Sequence, residues 1–305
     1  MKFTISVIMA VYNGQKYIEE QINSIINQTK RVDEIIIIDD CSSKKCTEII
    51  ERISNKSNCQ INYIEHSENK GYAQTFFEAL RIAGGEYIFF ADQDDIWDKN
   101  KVKIYVEEMN CHPEITCLSS YNIIIDSIGK EIKREKKSKS RLMKVTCKSL
   151  IKQTSLRPGM TLAIRKSLKV KIDALDTTKY EVHDRLIEYL SSLDDGLYIL
   201  GEYLNKYRIH GLNTSGMNLS HFKLRSNKKG RIDQIDKEVR YLNQIITIRN
   251  ENKEIINKYI KYFLLRRRLL EEGDLLKYIT NSIKCAYGYN KINVWLGDIM
   301  SIVKK

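Results

Sequence analysis

The amino-acid sequence predicts an α/β fold, a mainly parallel sheet with crossover helices followed by a basic helical extension. Three observations carry this expectation. Short apolar runs alternate with amphipathic stretches from Ile5 to Phe90, the order expected of successive βαβ units. The runs stop at small polar or acidic clusters, which in an open sheet gather at the carboxyl ends of the strands. Charge is divided along the chain: residues 1–125 hold 13 Lys and Arg against 19 Asp and Glu, net −6, and residues 126–305 hold 38 against 20, net +18.

The elements follow in order. Ile5–Val11 is apolar except for Ser6 and predicts a strand buried on both faces, ending in the turn Tyr12-Asn13-Gly14. Gln15 to Gln28 places Tyr17, Ile18, Ile22, Ile25 and Ile26 on one helical face. Glu34 to Ile38 is a second buried strand and ends at Asp39-Asp40-Cys41-Ser42-Ser43. A helix over Thr47 to Ser54, a strand near Ile61 to Ile64, the loop His66 to Gly71 and a helix over Tyr72 to Ala83 lead to the stretch Glu86 to Trp97. There an aromatic strand, Tyr87 to Phe90, runs into three carboxylates, Asp92, Asp94 and Asp95. Carboxylates this close repel unless they share a cation, and a hard divalent ion with oxygen ligands is the usual solution. The competing reading is an acidic turn capping the helix that starts near Lys99, which a single Asp would satisfy.

Farther along, Leu118 to Asp126 predicts a strand, and the basic run from Lys130 to Arg141 a solvated loop. Pro158-Gly159 forms a turn before a short strand. Val182-His183-Asp184 opens a helix reaching about Leu193, and Tyr203 to Arg208 predicts the last strand. From Leu219 onward the pattern is helical: Ile232 to Asn250, Glu254 to Leu270, Asp274 to Ala286 and Ile292 to Val303.

Several function classes lose support. There is no GxGxxG after the first strand and no P-loop, which removes the main signals for dinucleotide oxidoreductases and P-loop NTPases. The 7 cysteines form no CxxC pair and read as reduced thiols. Met1 to Thr4 lead straight into the first strand with no signal-peptide pattern, and no apolar stretch approaches the ~20 residues of a membrane span. The expected location is the cytoplasm, with a peripheral seat on the inner face of the cell membrane open to the basic helices. Nucleic-acid binding through the basic half lacks any recognisable motif.

Val7-Ile8-Met9-Ala10-Val11-Tyr12-Asn13-Gly14, Asp39-Asp40-Cys41-Ser42-Ser43, Asn69-Lys70-Gly71 and Asp92-Gln93-Asp94-Asp95, in that order, resemble glycosyltransferase family 2 over roughly residues 4–215. Cys41 departs from the glycine that often follows the Asp pair. The resemblance implies a GT-A fold and an inverting glycosyltransferase that takes a nucleoside diphosphate sugar, dTDP- or UDP-linked. The glycosyltransferase domain would span 1–218, with 1–100 binding the nucleotide and 101–218 the acceptor, and 219–305 would be a basic amphipathic helical extension.

The resemblance also implies residue roles. Ala10, Val11 and Tyr12 would cradle the base, and Asp39 would accept its N3–H; the plainer role for Asp39 is a turn cap. Asn69, Lys70, Gly71 and Gln93 would line the donor, and Asp92 would face the ribose or a metal-bound water. Asp94 would ligate Mg²⁺ or Mn²⁺ with His210 completing the shell, and Arg208 would lie near phosphate. Asp184 would be the general base; its plainer role is to sit at a helix N-terminus. A Gly211 to Gly216 loop would close over the donor.

The stretch Asp92 to Trp97 is most similar to rhamnosyltransferases using dTDP-rhamnose, with Trp97 a sugar-stacking face or a core residue. The acceptor would be a hydroxyl on a cell-surface glycan or a lipid-linked glycan. The basic helices would meet a membrane surface, a second copy or the catalytic domain. The rival reading is a non-catalytic, membrane-associated glycan-assembly subunit that retains the fold.

Overall fold

The structure, a computed structural model, describes residues 4–152, 156–211, 227–249, 252–284, 286–289 and 292–303. The chain divides into two compact units, one of Met1–Thr146 with Arg157–Arg208 and one of Cys147–Leu156 with Ile209–Lys305. The division falls at 208/209, and Cys147–Leu156, expected inside the first domain, belongs with the second unit. The boundary expected at 218/219 lies outside the described residues, as do Leu212 to Gly216 of the expected closing loop.

The first unit is a mixed sheet ordered β3-β2-β1-β4-β9-β6-β10-β5. Its leading half is parallel: β1 (Ile5–Val11) lies between β2 (Glu34–Asp39) and β4 (Tyr87–Asp92), and β3 (Gln60–Glu65) pairs outside β2. The trailing half mixes directions. β9 (Ala163–Arg165) runs antiparallel to both β4 and β6 (Cys117–Ile125), and β10 (Leu197–Arg208) is parallel to β6 and antiparallel to the short β5 (Ile96–Trp97).

Side chains alternate across the pleat, so the odd positions Ile5, Val7, Met9 and Val11 share one core with Ile35, Ile37 and Phe89. The helices α1 (Ile18–Ile26), α2 (Thr47–Ser54) and α4 (Lys101–Cys111) bury apolar side chains in that core. On the opposite face α3 (Tyr72–Ile82) packs on β1 and β2 and meets α6 (Lys166–Asp173), with Phe76 against Phe90 at 5.9 Å between ring centroids.

Two segments differ from expectation. The basic run is not all loop: Glu131–Arg134 forms β7, antiparallel on the edge of β6, and Leu142–Lys144 forms β8 on β10. Strand pairing at an edge uses only backbone groups, so all four β7 side chains stay exposed and Arg134 pairs locally with Glu131 at 2.8 Å. β10 begins six residues earlier than predicted, because irregularities between Leu200 and Asn205 break the alternation on which the prediction rested.

The second unit contains α5 (Cys147–Ile151), α8 (Lys228–Ile245), α9 (Lys253–Glu272), α10 (Leu275–Lys284) and α11 (Ile292–Val303). The last four of these helices meet around a buried carboxylate. Asp298 of α11 is fully buried and accepts from Arg266 Nε (2.6 Å) and Nη2 (2.9 Å), Arg231 Nη1 (2.8 Å) and the Tyr278 hydroxyl (2.6 Å). Of the consecutive arginines Arg266 to Arg268 only Arg266 is internal; the side chains of Arg267 and Arg268 are 36 and 70% exposed. Arg266 serves Asp298, Arg267 pairs with Asp236 and Glu271, and Arg268 pairs with Glu272. Removing the carboxylate would leave two arginines facing each other without compensation. Asp298→Ala should cost about 3–5 kcal/mol of stability in this unit, read as early loss of helical circular-dichroism signal in urea.

Candidate active site

The register of the parallel strands builds the site. Val11 stands opposite Asp39 and Ala10 opposite Asp92, so the ends of β1, β2 and β4 reach one edge together. The turns beyond them interlock. Asn13 and Cys41 both adopt left-handed backbone, with φ of +52° and +64°. The Asn13 N–H donates to Ser42 Oγ (2.8 Å), and Ser43 N–H donates to Asn13 Oδ1 (3.0 Å). Gln93 completes the link as a carboxamide bridge: Tyr12 N–H donates to its Oε1 (2.9 Å), and its Nε2 donates to the Tyr12 carbonyl (3.0 Å). A Cβ at Gly14 would run into the Gln93 carboxamide, so any larger residue there would have to displace this bridge.

Several expected donor ligands prove to be engaged by the protein. Asp39 is fully buried. Its Oδ1 accepts from Ser42 N–H (2.7 Å) and its Oδ2 from the Tyr63 hydroxyl (2.9 Å), so Asp39 caps this turn and each oxygen keeps a second lone pair. Asp40, to which the sequence drew no role, receives Lys70 N–H on Oδ1 and Gly71 N–H on Oδ2, each at 2.8 Å, and lies 3.0 Å from His66 Nδ1. The Asn69-Lys70-Gly71 backbone expected to meet donor is thus pinned to β2, with Asn69 Nδ2 on the Asp40 carbonyl and the Lys70 ammonium on Glu78.

Gln93 holds Tyr12 rather than presenting a free amide. Arg208, expected near phosphate, is buried instead: its Nε donates to the Asp94 carbonyl (2.8 Å), its Nη2 to Glu20 (2.6 Å), and its guanidinium lies over Tyr17 at 4.7 Å. Its backbone N–H donates to Asp95 Oδ1 (2.9 Å), so Arg208 shapes the acidic turn from beneath. Trp97 is a core residue with the Lys101 ammonium 3.8 Å from its ring centroid.

The acidic cluster itself is tightly drawn. Burial, then Asp94 and Asp184, push the Asp92 carboxyl up to about 7, and burial, then Asp94 and Asp92, hold Asp95 well above the usual carboxylate range. Lys101 opposes both. It opens α4 fully buried and donates to the Met160 carbonyl (2.9 Å). Burial holds its amine well below the usual lysine range, with Asp95 and Asp92 partly opposing. Sequence reading missed it, because a lone Lys at a helix start looks like surface. α4 also holds the neighbouring turn through Tyr105, whose hydroxyl donates to the Thr161 carbonyl (2.6 Å). That turn, Gly159–Thr161, carries Gly159 against the start of α7 (His183–Leu193).

Asp184 stands in the first turn of α7, and its negative charge reaches Asp92, Tyr72 and Glu188. Tyr72 is a second residue the sequence did not single out. Burial, then Asp184, Glu181 and Asp92, raise its phenol to about 12, so it stays a neutral donor among carboxylates. One turn along α7, Glu188 is buried, and burial and then Asp184 hold its carboxyl well above the usual range, with the Arg157 N–H on its Oε1 (3.0 Å) partly opposing. His183 stacks on Phe76 at 4.2 Å and Phe90 at 5.7 Å, and neither ring nitrogen has a hydrogen-bond partner.

Among the described residues no three His, Cys, Asp or Glu side chains converge closely enough to hold a metal ion alone. His210, expected as a ligand, lies half-buried two residues past β10, at the start of the second unit. The crowding of Asp92 and Asp94 still fits a small hard cation. Mg²⁺ commonly takes one or two carboxylates and completes its shell with phosphate oxygens and water.

Two measurements test this geometry. Burial lowers His183 from 6.5 to about 4, with Asp184 partly opposing. The unfolded chain therefore binds the proton first: the neutral ring contributes stability above pH 6.5 that is lost as pH falls toward 4. His183→Phe should remove on the order of 2 kcal/mol of that acid sensitivity, measured as the change in urea midpoint between pH 7 and pH 4.5 relative to the parent. Cys41→Gly should raise stability by about 1 kcal/mol, because a Cβ is disfavoured at φ +64°; an unchanged or lower urea midpoint would contradict it.

The comparisons agree with this architecture. The family model for glycosyl transferase family 2 matches residues 6–169. An uncharacterized glycosyltransferase of Methanocaldococcus jannaschii is 32% identical over 209 residues, covering 67% of this chain and 70% of that protein. The poly(ribitol-phosphate) β-N-acetylglucosaminyltransferase TarS of Staphylococcus aureus is 29% identical over 201 residues, covering 63% of this chain but only 34% of its own length. The crystal structure of TarS residues 1–349 in complex with UDP-GlcNAc superposes with a TM-score of 0.62 at 20% identity, over 87% of this chain and 72% of that one, a likeness of fold. An Escherichia coli UDP-Glc:α-D-GlcNAc-diphosphoundecaprenol β-1,3-glucosyltransferase is 29% identical over 144 residues, covering 47% of this chain and 56% of that protein. With its GT-A sheet, its strand-end carboxylates and these relatives, the chain belongs to glycosyl transferase family 2 and is a glycosyltransferase that uses a nucleotide-sugar donor.

Proposed function

We propose that the protein is a metal-dependent inverting glycosyltransferase that moves a sugar from a dTDP- or UDP-linked donor to a hydroxyl of a cell-surface glycan or its lipid-linked precursor. One observation carries the reading. Asp184, far from Asp92 in sequence, is brought close enough by α7 to raise its proton affinity, so a carboxylate faces the acidic cluster. Inversion needs a base on the side of the sugar opposite the departing diphosphate, and Asp184 fills that role. It takes the acceptor hydroxyl proton while the acceptor oxygen bonds to the anomeric carbon and the bond from that carbon to the diphosphate oxygen breaks.

Mg²⁺ or Mn²⁺, when bound, neutralises the charge that builds on the diphosphate. Asp94, with Asp92 beside it, would hold the ion, and Arg208 fixes the backbone of that turn through the Asp94 carbonyl and Asp95 Oδ1. Tyr72 offers a neutral hydroxyl to substrate between Asp92 and Asp184. The donor is narrowed by two indications: the Asp92–Trp97 stretch favours dTDP-rhamnose, and the names of the relatives carry UDP-glucose and UDP-GlcNAc. The poly(ribitol-phosphate) and diphosphoundecaprenol in those names favour a cell-envelope acceptor here as well.

A screen of donor hydrolysis over dTDP-rhamnose, UDP-glucose and UDP-GlcNAc with Mn²⁺ should find one turned over. Chelation should stop it and Mg²⁺ or Mn²⁺ restore it. Asp184→Asn should lower kcat for transfer by about 10²–10⁴ while donor binding persists, whereas Asp94→Ala should lose donor binding itself. Turnover of none of the three donors, or turnover indifferent to chelation, would overturn the reading.

A further inference from the structure

The helix α11 is inside out. Its buried side carries Asp298, Ser301 and Ile302, while Ile292, Leu296, Met300 and Val303 are between 45 and 71% exposed. At about 100° per residue these four fall within roughly 80° of arc, opposite the buried Asp298. An ordinary surface helix has the reverse arrangement, with apolar residues inward. α10 repeats it: Tyr278 and Ser282 are buried, and Leu276 and Ile283 are 77 and 66% exposed. The two helices are joined through Trp295, whose Nε1 donates to Ser282 Oγ (2.7 Å). The inward polarity is held by Arg231 and Arg266 on Asp298, so neither helix can roll its apolar ridge into the protein without breaking that network.

Charge decides what covers the ridge. The first unit balances 30 Lys and Arg against 30 Asp and Glu. The second holds 21 against 9, and so carries the whole net charge of +12. Pairing this face with a second copy would set two such units against each other. An anionic bilayer offers what neither water nor a second copy does, a negative surface with an apolar layer just beneath. No helix among the described residues is long and apolar enough to cross a membrane, so insertion would be confined to the interface.

We propose that α11, with α10 beside it, is a docking ridge for the surface of an anionic bilayer, seated in the headgroup layer by Ile292, Leu296, Met300 and Val303 and drawn there by the positive charge of its unit. This goes beyond the transfer reaction and does not rest on it.

The test is flotation of the full-length protein with phosphatidylcholine vesicles made with and without about 30% phosphatidylglycerol. Binding should require phosphatidylglycerol and weaken at about 0.5 M NaCl. The double variant Leu296→Glu/Met300→Glu, at positions that already face solvent, should bind at least about tenfold more weakly while keeping its circular-dichroism spectrum and its donor-hydrolysis rate. Equal binding of variant and parent would overturn the proposal, and so would a parent dimer in solution that the variant dissolves. Loss of donor hydrolysis in the parent would count against the transferase reading alone and leave the vesicle result standing.

Discussion

Like charges packed at the end of a buried sheet are the constraint to which the first unit answers. The parallel pairing of β1 with β2 and β4 aligns Val11 with Asp39 and Ala10 with Asp92, and the chain adds Asp94 and Asp95 immediately beyond. Such crowding is costly in a low-dielectric setting, and the surrounding structure reads as a set of responses to it. Lys101 is buried beneath the cluster, the Arg208 backbone and guanidinium hold the Asp94–Asp95 turn, and Asp92 and Asp95 carry raised proton affinities.

The carboxylates beside that cluster do a different job. Asp39 and Asp40 spend their oxygens on Ser42, Tyr63, Lys70 and Gly71, and so convert two loose turns into a rigid rim. Gln93 ties the third turn to the first through Tyr12. Gln93 lies between Asp92 and Asp94 in the chain, so its two bonds to Tyr12 anchor the backbone from which both carboxylates project. The left-handed Cys41 shows that the rim tolerates some strain for this purpose.

The helical unit solves its own electrostatic problem by a similar device with opposite signs. One buried carboxylate, Asp298, gathers two arginines and a tyrosine hydroxyl and thereby fixes the rotation of α11. Its apolar residues are left outside as a result. Polar satisfaction inside and apolar exposure outside are thus one fact about the helix rather than two.

By itself the sequence determined the order of strands and helices, the gathering of Asp92, Asp94 and Asp95 at a strand end, the placement of Asp184 at a helix start and the family. Each of these depends on local periodicity or on residues adjacent in the chain. It could not say which side chains were already engaged. Nothing local shows that Asp39 caps its turn and holds Tyr63, that Gln93 bridges to Tyr12, or that the Arg208 donors lie on Glu20 and the Asp94 carbonyl. Nor could it show that Lys101 is internal, that Tyr72 stands among carboxylates, or which face of α11 is buried. Those are decided by hydrogen bonds and burial between segments far apart in sequence, and only the tertiary structure brings such segments together.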